Sequence, residues 1–150
     1  IGGISVRPAT AADLDDIANV WHGSAMSMDC AEPDMPSCAE LRARIEIELT
    51  RGWSLFVAER HDEVVGMLAL KLGEGVLDQL FVRPESQRNG VGQRLLSEAK
   101  RRMPDGFILR MAATNASARN FYLAHGLSLD RVDVHPKTGR SVQFYQWNGR

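Results

Sequence analysis

The sequence is poor in the features that mark special environments. It holds only two cysteines, Cys30 and Cys38. They stand eight apart with no C-x-x-C and no histidine between them, which argues against a redox motif and a zinc site. Two reduced thiols and no bound metal are expected. No apolar run approaches the ~18 residues of a transmembrane helix, and no signal-peptide pattern opens the chain. A cytoplasmic protein with no membrane role is therefore expected, Ile1-Gly2-Gly3 being read as a processing remnant. Charge of one sign is lacking too. The 18 Lys and Arg nearly balance 19 Asp and Glu, for a net charge of −1. That balance gives no global attraction to a polyphosphate backbone, so nucleic acid is not expected as a partner. Asn115-Ala116-Ser117 matches a glycosylation sequon, but without a secretory signal the match is read as accidental.

What is present reads as one globular domain over residues 1–150, large enough to bury a core without disulfides. No linker, internal repeat or low-complexity tract interrupts it. Ile4 to Arg7 alternates as a short strand ended by Pro8. Thr10-Ala11-Ala12-Asp13 has the form of a capping box, followed by an apolar face of Leu14, Ile17, Ala18 and Trp21. A loop over 27–36 leads to a second box, Ser37-Cys38-Ala39-Glu40, and a helix with Leu41, Ile45 and Leu49 on one face.

After Gly52 the texture changes to strands at 53–59, 63–72 and 76–82, an antiparallel meander with short turns. From Gly90 the residues Val91, Leu95, Ala99 and Met103 repeat every four as a helix. The run 107–111 reads as a buried strand, 115–125 as a helix ended by Gly126, and 127–134 and 142–147 as two further strands. A strand, helix and strand in succession usually give a parallel pair, so 76–82 and 107–111 should lie side by side and parallel, with the rest antiparallel.

The stretch Gln87-Arg88-Asn89-Gly90-Val91-Gly92 falls between the first of those two strands and its helix. Helix N-termini expose unpaired N–H groups and partial positive charge, and glycines let a phosphate approach the backbone. Two nucleotide motifs fail here: a Walker loop needs G-x-x-x-x-G-K-[ST], and a dinucleotide fingerprint needs a third glycine where this chain has Leu95.

A third pattern fits. The hexapeptide resembles the Q/R-x-x-G-x-G/A pyrophosphate-binding signature of the GCN5-related N-acetyltransferase (GNAT) family, and Leu80-Phe81-Val82-Arg83-Pro84 resembles the strand that precedes it. Asn115 through Leu127 resembles the family's second signature, N-x-x-A-x-x-F-Y-x-x-x-G-F, departing only in Leu for the final Phe. The order of elements agrees as well, so the resemblance covers almost the whole chain. The implied fold is α+β, an acyl-CoA N-acyltransferase fold. It is a mostly antiparallel seven-stranded sheet with a central splayed parallel pair, flanked by four helices.

The resemblance implies acetyl-CoA as co-substrate, its pyrophosphate on the loop from Gln87 through Asn89, Gly90, Val91 and Gly92 to Gln93, with the backbone amides from Arg88 onward as donors. It implies pantetheine along the backbone of Leu80, Phe81 and Val82, where an N–H can polarise the thioester carbonyl. It also implies Tyr122 as the acid that protonates the departing thiolate, with Phe121 packed inside. The implied activity is acetyl transfer to a primary amine of a small molecule or protein by direct attack in a ternary complex. The alternative is a noncatalytic acyl-CoA sensor of the same fold. Dimers occur in this family, so a homodimer is compatible.

Other positions stay open. Asn115 and Ser117 can cap their helix or reach the pantetheine. Asp78, two residues before Leu80, is the candidate general base, with Glu74, Asp29, Glu32 and Asp34 as competitors, each also readable as a solvated charge. Trp21, His22, Met26, Met28 and Asp29 are candidates for the acceptor pocket, Trp21 being readable equally as core. The acids of the 27–36 loop hint at a cationic acceptor.

Overall fold

In the computed structural model, which describes residues 3–26, 36–86, 89–113 and 115–149, seven strands form one sheet. The elements run β1 (Ile4–Pro8), α1 (Leu14–Met26), α2 (Cys38–Thr50), β2 (Ser54–Arg60), β3 (Glu63–Lys71), β4 (Val76–Val82), α3 (Val91–Arg102), β5 (Phe107–Ala112), α4 (Ala116–Ala124), β6 (Ser128–Val134) and β7 (Ser141–Trp147). The sheet order is β1-β2-β3-β4-β5-β7-β6. Every neighbouring pair is antiparallel except β4 and β5. This is the α+β architecture expected from the sequence.

Local chemistry accounts for the elements. Before α1, both Thr10 N and Thr10 Oγ1 donate to Asp13 Oδ2, at 2.7 and 3.1 Å. Arg7 clamps the same carboxylate through two nitrogens at 2.7 and 2.9 Å, and this pairing holds the Asp13 carboxyl well below the usual carboxylate range. The start of α2 is closed reciprocally, Glu40 N donating to Ser37 Oγ and Ser37 N to Glu40 Oε1. His61 and Asp62 carry φ of 54° and 63°, the backbone that a tight hairpin between β2 and β3 requires.

Side chains alternate across the sheet and fill two cores. One, under α1 and α2, gathers Leu14, Ile17, Trp21, Leu41, Ile45, Trp53, Val57 and Met67. The other, under α3 and α4, gathers Leu68, Leu70, Val91, Leu95, Leu96, Ala99, Leu109, Tyr122 and Tyr145. Gly66 lets α3 sit close to the sheet, since a Cβ there would lie 2.9 Å from Leu95 Cδ1 and 3.0 Å from Val91 Cγ1.

Two expectations need correction. Leu49 is 37% exposed because the last turn of α2 runs past the core that holds Leu41 and Ile45. The strand at 107–111 is not buried throughout. Phe107 and Leu109 point into the α3 core, whereas Ile108 is 38% exposed and Arg110 is open; among the described residues α1 packs chiefly on β3 and β4.

Candidate active site

The parallel pair separates almost as soon as it forms. Val76 and Ile108 are its only paired positions, closed by Ile108 N donating to Gly75 O at 2.9 Å, and beyond them β4 and β5 diverge. A bulge in β4 accompanies the parting: Leu77 faces Leu70 and Gln79 faces Ala69, leaving Asp78 as the extra residue.

The ladder fixes which backbone groups face the gap. Arg83 N donates to Val65 O at 2.8 Å, and in an antiparallel ladder bonded and non-bonded pairs alternate. Phe81, paired with Met67, therefore turns its N–H and C=O toward β3. Leu80 and Val82 turn theirs toward the gap. The sequence placed all three backbones along one donor; the register gives that outlook to Leu80 and Val82 and not to Phe81. The Phe81 side chain goes to the α1 core, with its ring stacked on Trp21 at 5.9 Å between centroids.

At the wide end of the gap stands the start of α3. Asn89 and Gly90 make the turn, and Gly90 has φ of 84°, a left-handed conformation suited to glycine. The first intrahelical bond is Arg94 N to Gly90 O at 3.1 Å, so the N–H groups of Val91, Gly92 and Gln93 have no helical acceptor. The first turn carries no acid, while Lys100, Arg101 and Arg102 occupy the last turn, a distribution that favours an anion at the N-terminus. Val91 is buried and Gln93 exposed. Gln87 and Arg88 lie outside the described residues.

The two sequence motifs meet at Phe121. A Cβ on Gly92 would stand 3.3 Å from Phe121 Cζ, so the glycine is what lets α4 close under the first turn of α3. Phe121 also packs edge-on to Tyr122 at 5.2 Å and against His125 at 4.5 Å. Tyr122 is buried, and its hydroxyl has no hydrogen-bond partner among the described residues. Burial pushes the Tyr122 hydroxyl above the ordinary tyrosine range, so at neutral pH it is a protonated donor facing a low-dielectric environment. Asn115 caps α4 by accepting from Ala118 N at 3.2 Å, the local use that its position offered, and Ser117 is exposed in the first turn.

Asp78 is held rather than free. Trp53 Nε1 donates to its Oδ2 at 2.7 Å, and Trp53 lies 5.9 Å from Trp21, so the carboxylate is oriented on the α1 and α2 side of the sheet. Sequence reasoning missed Trp53; an indole directly after a helix-ending glycine was read only as the start of a strand. Trp21 is core, 5% exposed. Glu74 is exposed in the turn before β4. Met28, Asp29, Glu32 and Asp34 lie outside the described residues. Among the described residues no group of three or more His, Cys, Asp or Glu gathers as a metal cluster, and no helix is long and apolar enough to cross a membrane.

A probable N-acetyltransferase of Mycobacterium tuberculosis is 34% identical over 87 residues, covering 53% of this chain and 49% of that protein. The chain thus spans about half the length of the curated relative that it matches. The solution structure of apo YjaB from Escherichia coli superposes with a TM-score of 0.73 at 23% identity, over 98% of this chain and 99% of that one. PaiA N-acetyltransferase of Thermoplasma acidophilum, solved in complex with coenzyme A, superposes with a TM-score of 0.76 at 18% identity, over 97% and 98%. At those identities the structures establish the fold alone. The model of the acetyltransferase (GNAT) domain matches residues 51–126, from the end of α2 through the splayed strands and the glycine turn to the close of α4, and by that match the chain belongs to the GNAT acetyltransferase family.

Proposed function

We propose that residues 1–150 form a single N-acetyltransferase domain that moves the acetyl group of acetyl-CoA to a primary amine. The observation that carries this reading is the conjunction at the β4–β5 gap. An acid-free helix start with orphan amides and a strand backbone turned toward the opening meet there, and buried Tyr122, next to the Phe121 that packs under Gly92, supports a proton donor beside them. The orphan amides of Val91, Gly92 and Gln93 suit the pyrophosphate, and Gly90 and Gly92 keep side chains out of its way.

In the reaction the neutral amine attacks the thioester carbonyl, forming the C–N bond. Leu80 N–H stabilises the oxygen as it gains charge. Asp78, with one oxygen occupied by Trp53, takes the ammonium proton on Oδ1, directly or through water. The C–S bond then breaks, and Tyr122 gives its proton to the departing sulfur. Solvent returns Asp78 and Tyr122 to their starting states, so amine and thioester become amide and thiol.

The test is a screen of primary amines with acetyl-CoA, read as released CoA thiol. Acceptor-dependent release supports the enzyme. Tight acetyl-CoA binding with no release from any amine would favour the sensor of the same fold.

A further inference from the structure

The acceptor side of the gap carries an arrangement that the donor chemistry does not use. On the sheet face away from α3 and α4, Phe144 of β7 has Arg110 of β5 directly opposite it on one side and Arg131 of β6 directly opposite it on the other. Directly opposed residues share a face, so the order across three strands is Arg, Phe, Arg, spanning roughly 10 Å at two strand spacings. The Arg131 guanidinium lies 4.1 Å from the Phe144 ring centre, a stack that leaves the in-plane N–H groups available. Both arginines are exposed. Neither forms an ion pair among the described residues. Asp133, on the same face of β6 as Arg131, accepts from Val134 N at 2.8 Å through Oδ1. Two unneutralised cations about one ring repel each other, and an anion between them would relieve that repulsion.

Position gives this patch its meaning. Arg110 is two residues beyond Ile108, and Asp78 is two residues beyond Val76, the partner of Ile108. The two therefore stand at about the same level on opposite walls of the opening. They share a side as well, since Asp78 reaches Trp53 in the α1 and α2 core and Arg110 alternates with Leu109, which points into the opposite core. They make no ion pair with each other, so a carboxylate and a guanidinium face one opening without closing it.

Resting on the acetyltransferase reading, we propose that the acceptor is a free amino acid, an amine with a carboxylate nearby. Its amino group lies toward Asp78 and its carboxylate is bound by the planar fork of Arg110, with Arg131 reinforcing the positive field beyond Phe144. Arginine suits this task because its N–H pairs match a carboxylate bidentately. The acidic loop residues Asp29, Glu32 and Asp34, which hinted at a cationic acceptor, lie outside the described residues; the groups that flank the opening indicate a zwitterion.

The test compares the common amino acids with their carboxamides, measured as kcat/KM for CoA thiol release. Wild type should favour the carboxylate of at least one pair by tenfold or more. In Arg110→Gln that ratio should collapse toward one through a rise in the KM of the carboxylate, with Arg110→Lys intermediate and acetyl-CoA affinity by calorimetry serving as the check on folding. Equal use of carboxamides by wild type, or an undiminished ratio in Arg110→Gln, would overturn the proposal. Should no amine release CoA, the acetyltransferase reading fails, and calorimetry of the same amino acids with CoA-loaded protein decides the subsite alone. Binding abolished by Arg110→Gln upholds it, and no binding to wild type overturns it.

Discussion

The two walls of the β4–β5 gap are built on opposite principles. The β4 wall is backed on both sides: α1 packs on one face and α3 on the other, and its neighbours Met67, Leu68, Ala69 and Leu70 on β3 are fully buried. Among the described residues the wall of β5, β7 and β6 is the more open one, and β6 is exposed along its whole length, Val132 at 57% and Val134 at 59%. A residue on the first wall answers to packing and to the proposed cofactor at once. One on the second wall answers mainly to whatever arrives from solvent.

The largest break in this comparison should come from the buried side. Tyr122→Phe is expected to lower kcat by about 10²–10³-fold, the size of a lost general acid, equivalent to ~3–4 kcal/mol in the barrier, with acetyl-CoA affinity retained. Unchanged turnover would remove Tyr122 from the mechanism. Stability gives an independent reading. Because burial raises the folded-state pKa of Tyr122, its contribution is fully present below the ordinary tyrosine value of about 10 and is lost as pH climbs beyond it, where the unfolded chain ionises first. Tyr122→Phe should therefore lose less thermal stability between pH 9 and 11 than wild type, measured by circular dichroism.

A second substitution tests the packing behind β4. Gly66→Val would drive methyls into Leu95 and Val91, and Phe81 O stands only 3.2 Å from the new Cβ. A backbone oxygen cannot rotate away, so a cost of about 2–3 kcal/mol in urea denaturation is expected. A loss below 0.5 kcal/mol would mean that α3 is not seated as closely as its contacts imply. Gly92→Ala separates packing from binding. Alanine in place of glycine favours a helix by up to ~1 kcal/mol, while the new Cβ, 3.3 Å from Phe121 Cζ, shifts the turn that frames the orphan amides. The expected result is unchanged or slightly higher stability with about a tenfold rise in KM for acetyl-CoA.

The same contrast explains what the sequence revealed. Gly90, Gly92 and Asn115 were legible because each residue type suits local geometry, a left-handed turn, a close approach and a cap, whereas Phe121 and Tyr122 were legible only through the resemblance to the family's second signature. The four-residue repeat Val91, Leu95, Ala99 and Met103 was legible for a similar reason, since the first three are buried on one face of α3 and Met103, just past its end, is buried too. Arg110 was hidden inside Phe107-Ile108-Leu109-Arg110-Met111, an apolar run that reads as buried on both faces. That alternate residues of β5 are exposed is a tertiary fact, visible only once the described elements are packed. The Asp78–Trp53 bond joins residues 25 apart and has no spacing that one chain could disclose. The Phe144 row depends likewise on registers between three strands.

The smallest expected effect is the sharpest control, because it uses one substitution on both sides of the contrast. Val57 on β2 is 0% exposed in the α1 core, whereas Val132 on β6 is 57% exposed opposite Gln143. Val→Thr keeps the shape and the β-branch and exchanges a methyl for a hydroxyl. At Val57 the hydroxyl loses water within an apolar cluster and should cost about 1–3 kcal/mol. At Val132 it stays hydrated and should change stability by less than ~0.5 kcal/mol. Acetyl-CoA affinity should not change in Val132→Thr, since that side chain lies two strands away from the gap. If Val132→Thr instead destabilises the protein as much as Val57→Thr, the face of β6 that Val132 shares with Gln143 and Tyr145 is covered in solution, and that stretch of the sheet is an interface rather than a free surface.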